Sequence, residues 1–165
     1  MFIEVPITVI MIRNAQEKSR DQGVLRLSFE KGTKNFIGYI GEEIVKSYLQ
    51  CESCNTYEYD MVYEGKRIEV KSKQRSVPPQ PHYECSIVSY SVKNQHPDYY
   101  VFTSISQLSG IWKGWILGYC SQNYYMNMAV FLKKGQLDPS NGYTVRNDCY
   151  NVPISELYSI DLLKY

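Results

Sequence analysis

A mixed α/β domain is what this sequence predicts, and three observations predict it. Ile37, Ile40, Ile44, Val45, Tyr48 and Leu49 recur at three- and four-residue spacing, which lays one broad apolar stripe along a helix. Residues 56–73 alternate polar and apolar types on either side of Glu64-Gly65, the pattern of a β-hairpin. Residues 98–104 are apolar with little alternation, as a strand covered on both faces is. With 165 residues, 44% of them apolar and 21% charged, the chain can bury the full core of one domain, which excludes wholesale disorder and a disulfide-stapled miniprotein. A net charge of +1 excludes a polybasic protein. The longest apolar run, residues 5–12, is broken by Pro6 and Thr8 and is far short of the roughly 20 residues a membrane span needs. No signal-peptide pattern precedes it, so a cytoplasmic location without a membrane partner is expected.

In chain order, residues 3–12 are rich in β-branched types and read as a strand, and polar residues 13–23 as a short helix ended by Gly23. Residues 24–29 alternate and fit either a strand or the first turns of a helix. Residues 31–35 are turn chemistry, with Thr33 or Asn35 capping a helix from about Phe36 to Gln50. After the hairpin, the prolines of residues 76–81 break regular structure. Residues 83–92 suit a strand or a helix, 98–104 a central strand, and 115–119 a shorter strand. A helix over 122–133, a loop at 138–142 and a closing helical turn over 154–163 complete the order.

Five cysteines, an odd number, fit reduced thiols serving as core filler. Cys51 and Cys54 have zinc-like spacing, but no second pair completes four ligands, and they fall at a helix end rather than at the helix start a redox thiol favours. His82 and His96 have no partner at ligand spacing and read as loop residues. The sixteen tyrosines are unusual; their rings suit base stacking, but core volume with a polar tip is the simpler reading.

The hairpin carries the chemistry. A two-residue Glu64-Gly65 turn pairs Tyr63 with Lys66, Val62 with Arg67, Met61 with Ile68 and Asp60 with Glu69. Tyr57, Tyr59, Met61, Tyr63, Ile68 and Val70 then share the apolar face. Glu58, Asp60, Val62, Arg67, Glu69, Lys71 and Lys73 share the other. Carboxylates facing each other with Cβ atoms about 4.5–5.5 Å apart repel unless something positive lies between them. An ordinary wet hairpin face, neutralised by its own lysines and arginine, is the plainer reading. The upstream helix argues against it. Gly38 and Gly41 each cost about 1 kcal/mol relative to alanine inside a helix, which suits a close approach to another element. Glu42 shares their inward face, whereas Glu43 points about 100° away toward solvent; a one-residue change of helix phase would exchange the two. Glu42, Asp60 and Glu69 with Lys71 leave a doubly negative charge that Mg²⁺, a hard ion preferring oxygen, would neutralise.

Asp60, then Glu69-Val70-Lys71 after a short hairpin, with Gly38-Tyr-Ile-Gly41-Glu42 upstream, resembles the PD-(D/E)XK, restriction-endonuclease-like superfamily of metal-dependent nucleases, in particular its small bacteriophage members. The likeness extends to residues 28–32 with Asn35, to 98–102, to 114–118 and to 151–157. It implies a single domain over 1–165, with residues 1–30 as an N-terminal strand and helix packed on a central four-stranded mixed sheet flanked by helices. It implies that Asp60, Glu69 and the Val70 carbonyl bind Mg²⁺, for which Mn²⁺ substitutes, that Lys71 is the catalytic lysine, and that Glu42 supports the metal. Tyr59 stands where the name-giving proline would be. The activity implied is phosphodiester hydrolysis, with DNA favoured over RNA, in the host cytoplasm if the protein is viral, and with a homodimer compatible with cutting both strands. Lys66, Arg67, Lys73 and Arg75 lie where they could meet phosphates. The competing expectation is a nuclease fold that binds DNA or a protein without cutting; its signature, loss of an acid or of the lysine, is not found here.

Overall fold

The computed structural model describes residues 2–22, 33–54 and 56–165. The run at 24–29, Gly23 as a helix end, and residues 28–32 of the resemblance lie outside them.

The elements are β1 (Ile3–Pro6), α1 (Val9–Gln22), α2 (Thr33–Leu49), β2 (Met61–Tyr63), β3 (Lys66–Gln74), β4 (Glu84–Val88), α3 (Ser89–Asn94), β5 (Tyr99–Leu108), β6 (Ile111–Ser121), α4 (Gln122–Met128), β7 (Val130–Leu132) and β8 (Cys149–Pro153), with 3₁₀ turns at Ile154–Glu156 and Ile160–Lys164. Five strands form a mixed sheet in the order β1-β6-β5-β3-β2. β3 and β5 run parallel and the other pairs are antiparallel. The fold is therefore α/β, and the expected four-stranded sheet has a fifth strand. That strand is β1, expected to pack on the sheet as part of an N-terminal extension, which pairs along β6 from Ile3–Ile116 to Pro6–Lys113 as a member of the sheet. A second sheet of three strands, in the order β4-β8-β7, has no counterpart in the sequence reading.

Other differences have local causes. Residues 3–12 are not one strand: the chain turns after Pro6, and the Thr8 hydroxyl accepts the Met11 N–H at 3.2 Å, an N-cap contact that opens α1. Helix α2 begins at Thr33, so Thr33 and Asn35 lie within it. Residues 122–133 divide into α4 and β7 because Leu132 is drawn into a small core with Val145 and Cys149. The strand expected at 115–119 is eleven residues long, its apolar run interrupted by Gly114 and Gly118.

The hairpin register is as expected, with Met61–Ile68, Val62–Arg67 and Tyr63–Lys66 paired. Glu64 and Gly65 take φ values of +47° and +75°, the left-handed pair that a two-residue turn requires. Residues 56–60 do not extend the strand, and Tyr57 and Glu58 are exposed.

β5 is buried on both faces, as its composition predicts. Val101 and Ile105 meet Ile37, Ile40, Ile44 and Val45 of α2, with Ile68 and Val70 beside them. Tyr100 and Phe102 meet Trp115, Leu117, Cys85 and Tyr125 on the opposite side. Tyr125 is fully buried, and its hydroxyl donates to the carbonyls of Cys85 (3.0 Å) and Tyr150 (2.7 Å), so this tyrosine fills core volume with its polar tip satisfied. All five cysteines are free, and Cys85, Cys120 and Cys149 are buried. Among the described residues no helix is long and apolar enough to cross a membrane.

Candidate active site

β2 ends after three residues while β3 continues to Gln74, so beyond Ile68 one side of β3 has no strand partner in the sheet. Asp60 meets Val70 at this edge, with Glu69 and Lys71 on either side of Val70 in the strand. Asp60 does not pair with Glu69 across a regular ladder. Its backbone N–H donates to the Ile68 carbonyl (2.9 Å), and its carboxylate accepts the Val70 N–H at 2.7 Å, replacing the missing strand. In an extended strand a residue's N–H and C=O point to the same side, so the Val70 carbonyl faces this edge too.

Glu69 and Lys71 project from β3 two residues apart. Lys71 Nζ donates to Glu69 Oε1 at 2.7 Å and to Gln95 Oε1 at 2.8 Å. An ammonium has three N–H donors, so one is left for another acceptor. Gln95 is itself fixed: its Nε2 donates to the Tyr57 carbonyl (3.0 Å), and its own carbonyl accepts from Gln122 Nε2 (3.0 Å).

Helix α2 brings Glu42 from the other face of the sheet. Gly41 sets the approach: a Cβ there would lie 1.9 Å from Ser72 Oγ and 2.6 Å from Thr103 Oγ1, whereas nothing lies within 4 Å of one at Gly38. The Gly38 carbonyl also meets Ser72 Oγ, at 3.5 Å, but only at Gly41 does the approach leave no room for a Cβ. Gly41→Ala is expected to destabilise the fold by about 1–3 kcal/mol, by forcing apart the Ser72–Thr103 hydroxyl pair (2.8 Å). Thermal denaturation beside Gly38→Ala, expected to be far milder, checks it.

Glu42 forms an ion pair with Lys18 of α1 at 3.1 Å. Glu43 is not solvated. It is 5% exposed and accepts from Asn14 Nδ2 (2.8 Å) and Lys46 Nζ (3.2 Å). Asn14 lies in the helix expected over 13–23, but the sequence does not show that this helix covers Glu43.

The electrostatics identify which acids are neighbours. Burial, then Glu69, then Glu42 push the Asp60 carboxyl well above its usual range, against the pull of the Val70 N–H and Lys71. Burial also raises Glu42, with Lys18 opposing and Glu69 and Glu43 adding to the rise. Tyr39, one helical position from Gly38, is pushed up to about 12 by burial and then by Glu42 and Asp60. Glu42, Asp60 and Glu69 thus share one field, yet each has a protein partner. Among the described residues no group of three or more His, Cys, Asp and Glu side chains is arranged to hold a metal ion.

No protein-family model matches the chain, and no curated protein matches it.

The basic residues divide. Arg67 is committed to Asp98: its Nε and Nη2 donate to the carboxylate at 3.2 and 3.3 Å, and its backbone N–H donates at 2.8 Å. That brace ties the hairpin to the start of β5 and explains why Asp98 is held below its usual range. Lys66 is exposed beside the turn. Lys73 and Arg75 line a cleft with Lys71. The sequence reading missed Lys18, Tyr39 and Gln95. Lys18 lies in the helix expected over 13–23, but its pairing with Glu42 depends on how α1 packs on α2; Gln95, in the loop after α3, carries no sequence signal.

Proposed function

We propose that the chain is a Mg²⁺-dependent nuclease that hydrolyses phosphodiester bonds of nucleic acid, DNA in the first instance, on a restriction-endonuclease-like core. The observation that carries this reading is the Asp60 carboxylate held on the Val70 N–H, between Glu69 and Lys71 in sequence, where Glu69 and Glu42 both raise its proton affinity. Charge repulsion among carboxylates that burial cannot relieve is the condition a divalent cation offsets.

The donor chemistry fits Mg²⁺, being oxygen throughout: Asp60, Glu69 and the Val70 carbonyl would hold it, with Glu42 supporting once Lys18 releases it. When bound, Mg²⁺ supplies charge neutralisation at the phosphoryl oxygens and a lowered pKa for the attacking water. Lys71, fixed by Glu69 and Gln95, directs its remaining N–H at the attacking water or the phosphoryl oxygen, offsetting charge that develops in the transition state. Asp60 stays oriented through the Val70 N–H. Lys66, Lys73 and Arg75 meet flanking phosphates without regard to sequence, and Arg67 contributes through the hairpin it braces.

Incubating the purified chain with labelled single- and double-stranded DNA and RNA is expected to give cleavage that needs Mg²⁺ or Mn²⁺ and stops with EDTA. Absence of metal-dependent cleavage of all four substrates removes the reading. The ion pairs Lys18–Glu42 and Lys71–Glu69 favour a second one, a binding module whose acids are neutralised internally. It predicts no heat on calorimetric titration with Mg²⁺.

A further inference from the structure

Tyr57 and Tyr90 are not explained by core volume. They are 62% and 64% exposed. Helix α3 buries Ser89 and Val92 and turns Tyr90 outward. The Tyr57 hydroxyl meets that of Tyr90, and this contact, ahead of burial and of Glu69, pushes the Tyr57 phenol up. The backbone of each tyrosine is held, and that of Tyr57 is linked through Gln95 to the candidate lysine. Gln95 bonds the Tyr57 carbonyl through Nε2 (3.0 Å) and Lys71 through Oε1 (2.8 Å), while Asn94 Nδ2 donates to the Tyr90 carbonyl (2.7 Å).

Lys71 also belongs to the cleft it lines with Lys73, Arg75, Glu84, Ser86 and Phe102. Lys71 and Lys73 alternate on β3, about 6.6–6.8 Å apart, and Arg75 follows just past the strand's end. Arg75 Nη2 donates to the Glu84 carbonyl at 3.0 Å, but its Nη1 is buried without a partner among the described residues. Desolvation, then Arg75 beside it, push Lys73 down. Glu84 shares the cleft; burial and then Asp138 raise its carboxyl, against the pull of Ser140 and Lys73. Two adjacent cations with an unspent buried donor make a seat for an anion.

We propose that this surface is a track for single-stranded nucleic acid, in which Tyr57 and Tyr90 stack unpaired bases while Lys73 and Arg75 hold neighbouring phosphates. The inference rests on the reading of Lys71 and its acids as the cleaving centre, and it selects the substrate class for that centre. Bases in a duplex are stacked on one another and offer no face to an exposed ring; those of a single strand do. Aromatic stacking beside a cationic row is the combination by which proteins grip single strands of any sequence.

The test measures binding without metal, so that it is independent of cleavage. Fluorescence anisotropy in EDTA would follow a labelled mixed-sequence 20-nucleotide DNA strand, its duplex, and the RNA strand of the same sequence. A single strand is expected to bind at least tenfold more tightly than the duplex, and the tighter of the two single-strand arms identifies the sugar. Tyr57→Ala and Tyr90→Ala should each weaken single-strand binding about 5- to 100-fold, and Tyr57→Phe should restore it. Arg75→Ala should weaken binding and flatten its salt dependence. Circular dichroism confirms folding of the variants. Duplex binding as tight as single-strand binding, or undiminished affinity in both tyrosine-to-alanine variants, overturns the proposal. Tight single-strand binding without metal-dependent cleavage removes the nuclease reading and leaves the track.

Discussion

Alanine at Lys71 is expected to lower the cleavage rate by about 10²–10³-fold or more while the protein remains folded, because it deletes a positioned donor facing charge that develops only in the transition state. Single-turnover rates with labelled DNA at saturating Mg²⁺ give the measurement, with circular dichroism as the control for folding. The neighbourhood sharpens the expectation. Lys71 is held by Glu69 at 2.7 Å and Gln95 at 2.8 Å, so Gln95→Ala should lower the same rate by a smaller factor, through misplacement of the ammonium. Wild-type turnover in Lys71→Ala would remove the lysine from the mechanism.

Asp60→Asn is expected to abolish cleavage and to stabilise the metal-free protein at neutral pH, a combination that an ordinary structural aspartate does not give. The sign follows from proton linkage. An acid whose folded-state pKa is raised binds protons more strongly folded than unfolded. Stability therefore falls as pH rises from the ordinary value of 3.8 through the folded value, and at pH 7 the ionised group is a net cost. Asparagine has no charge to ionise, yet its Oδ1 can still accept the Val70 N–H. In EDTA the melting temperature of Asp60→Asn should exceed that of the wild type by about 2–4 °C for each kcal/mol recovered. The gap should close as pH falls below 3.8. Adding Mg²⁺ should raise the wild-type melting temperature and leave the variant unchanged. A variant less stable than wild type at pH 7 in EDTA would contradict the strained state assigned to Asp60.

What the sequence made legible was local or densely patterned. Met61–Ile68 pairing followed from a two-residue turn, and the apolar run of β5 marked a strand covered on both sides. The stripe from Ile37 to Leu49 fixed the inward face of α2, and Gly41 announced its contact with Ser72. The misreadings arose where tertiary context overrides pattern. Val9 and Ile10 look like strand residues but are exposed at the start of α1, where Thr8 supplies the cap. The helix expected over 13–23 contains Asn14 and Lys18, but nothing in the sequence aims them at the two acids on α2 that they bond. β7 and β8 are three and five residues long, too short to carry a period of their own. Gln95 was invisible because an amide in a loop has no signature until its two hydrogen bonds are seen.

The shortness of β2 has an effect beyond catalysis. A strand flank with unspent amides is ordinarily an invitation for another molecule to zip onto it, the first step of aggregation. Along β3 that flank is guarded by Asp60, whose carboxylate already occupies the amide an incoming backbone would seek. A carboxylate that burial makes costly to ionise therefore also shields this flank from an incoming strand.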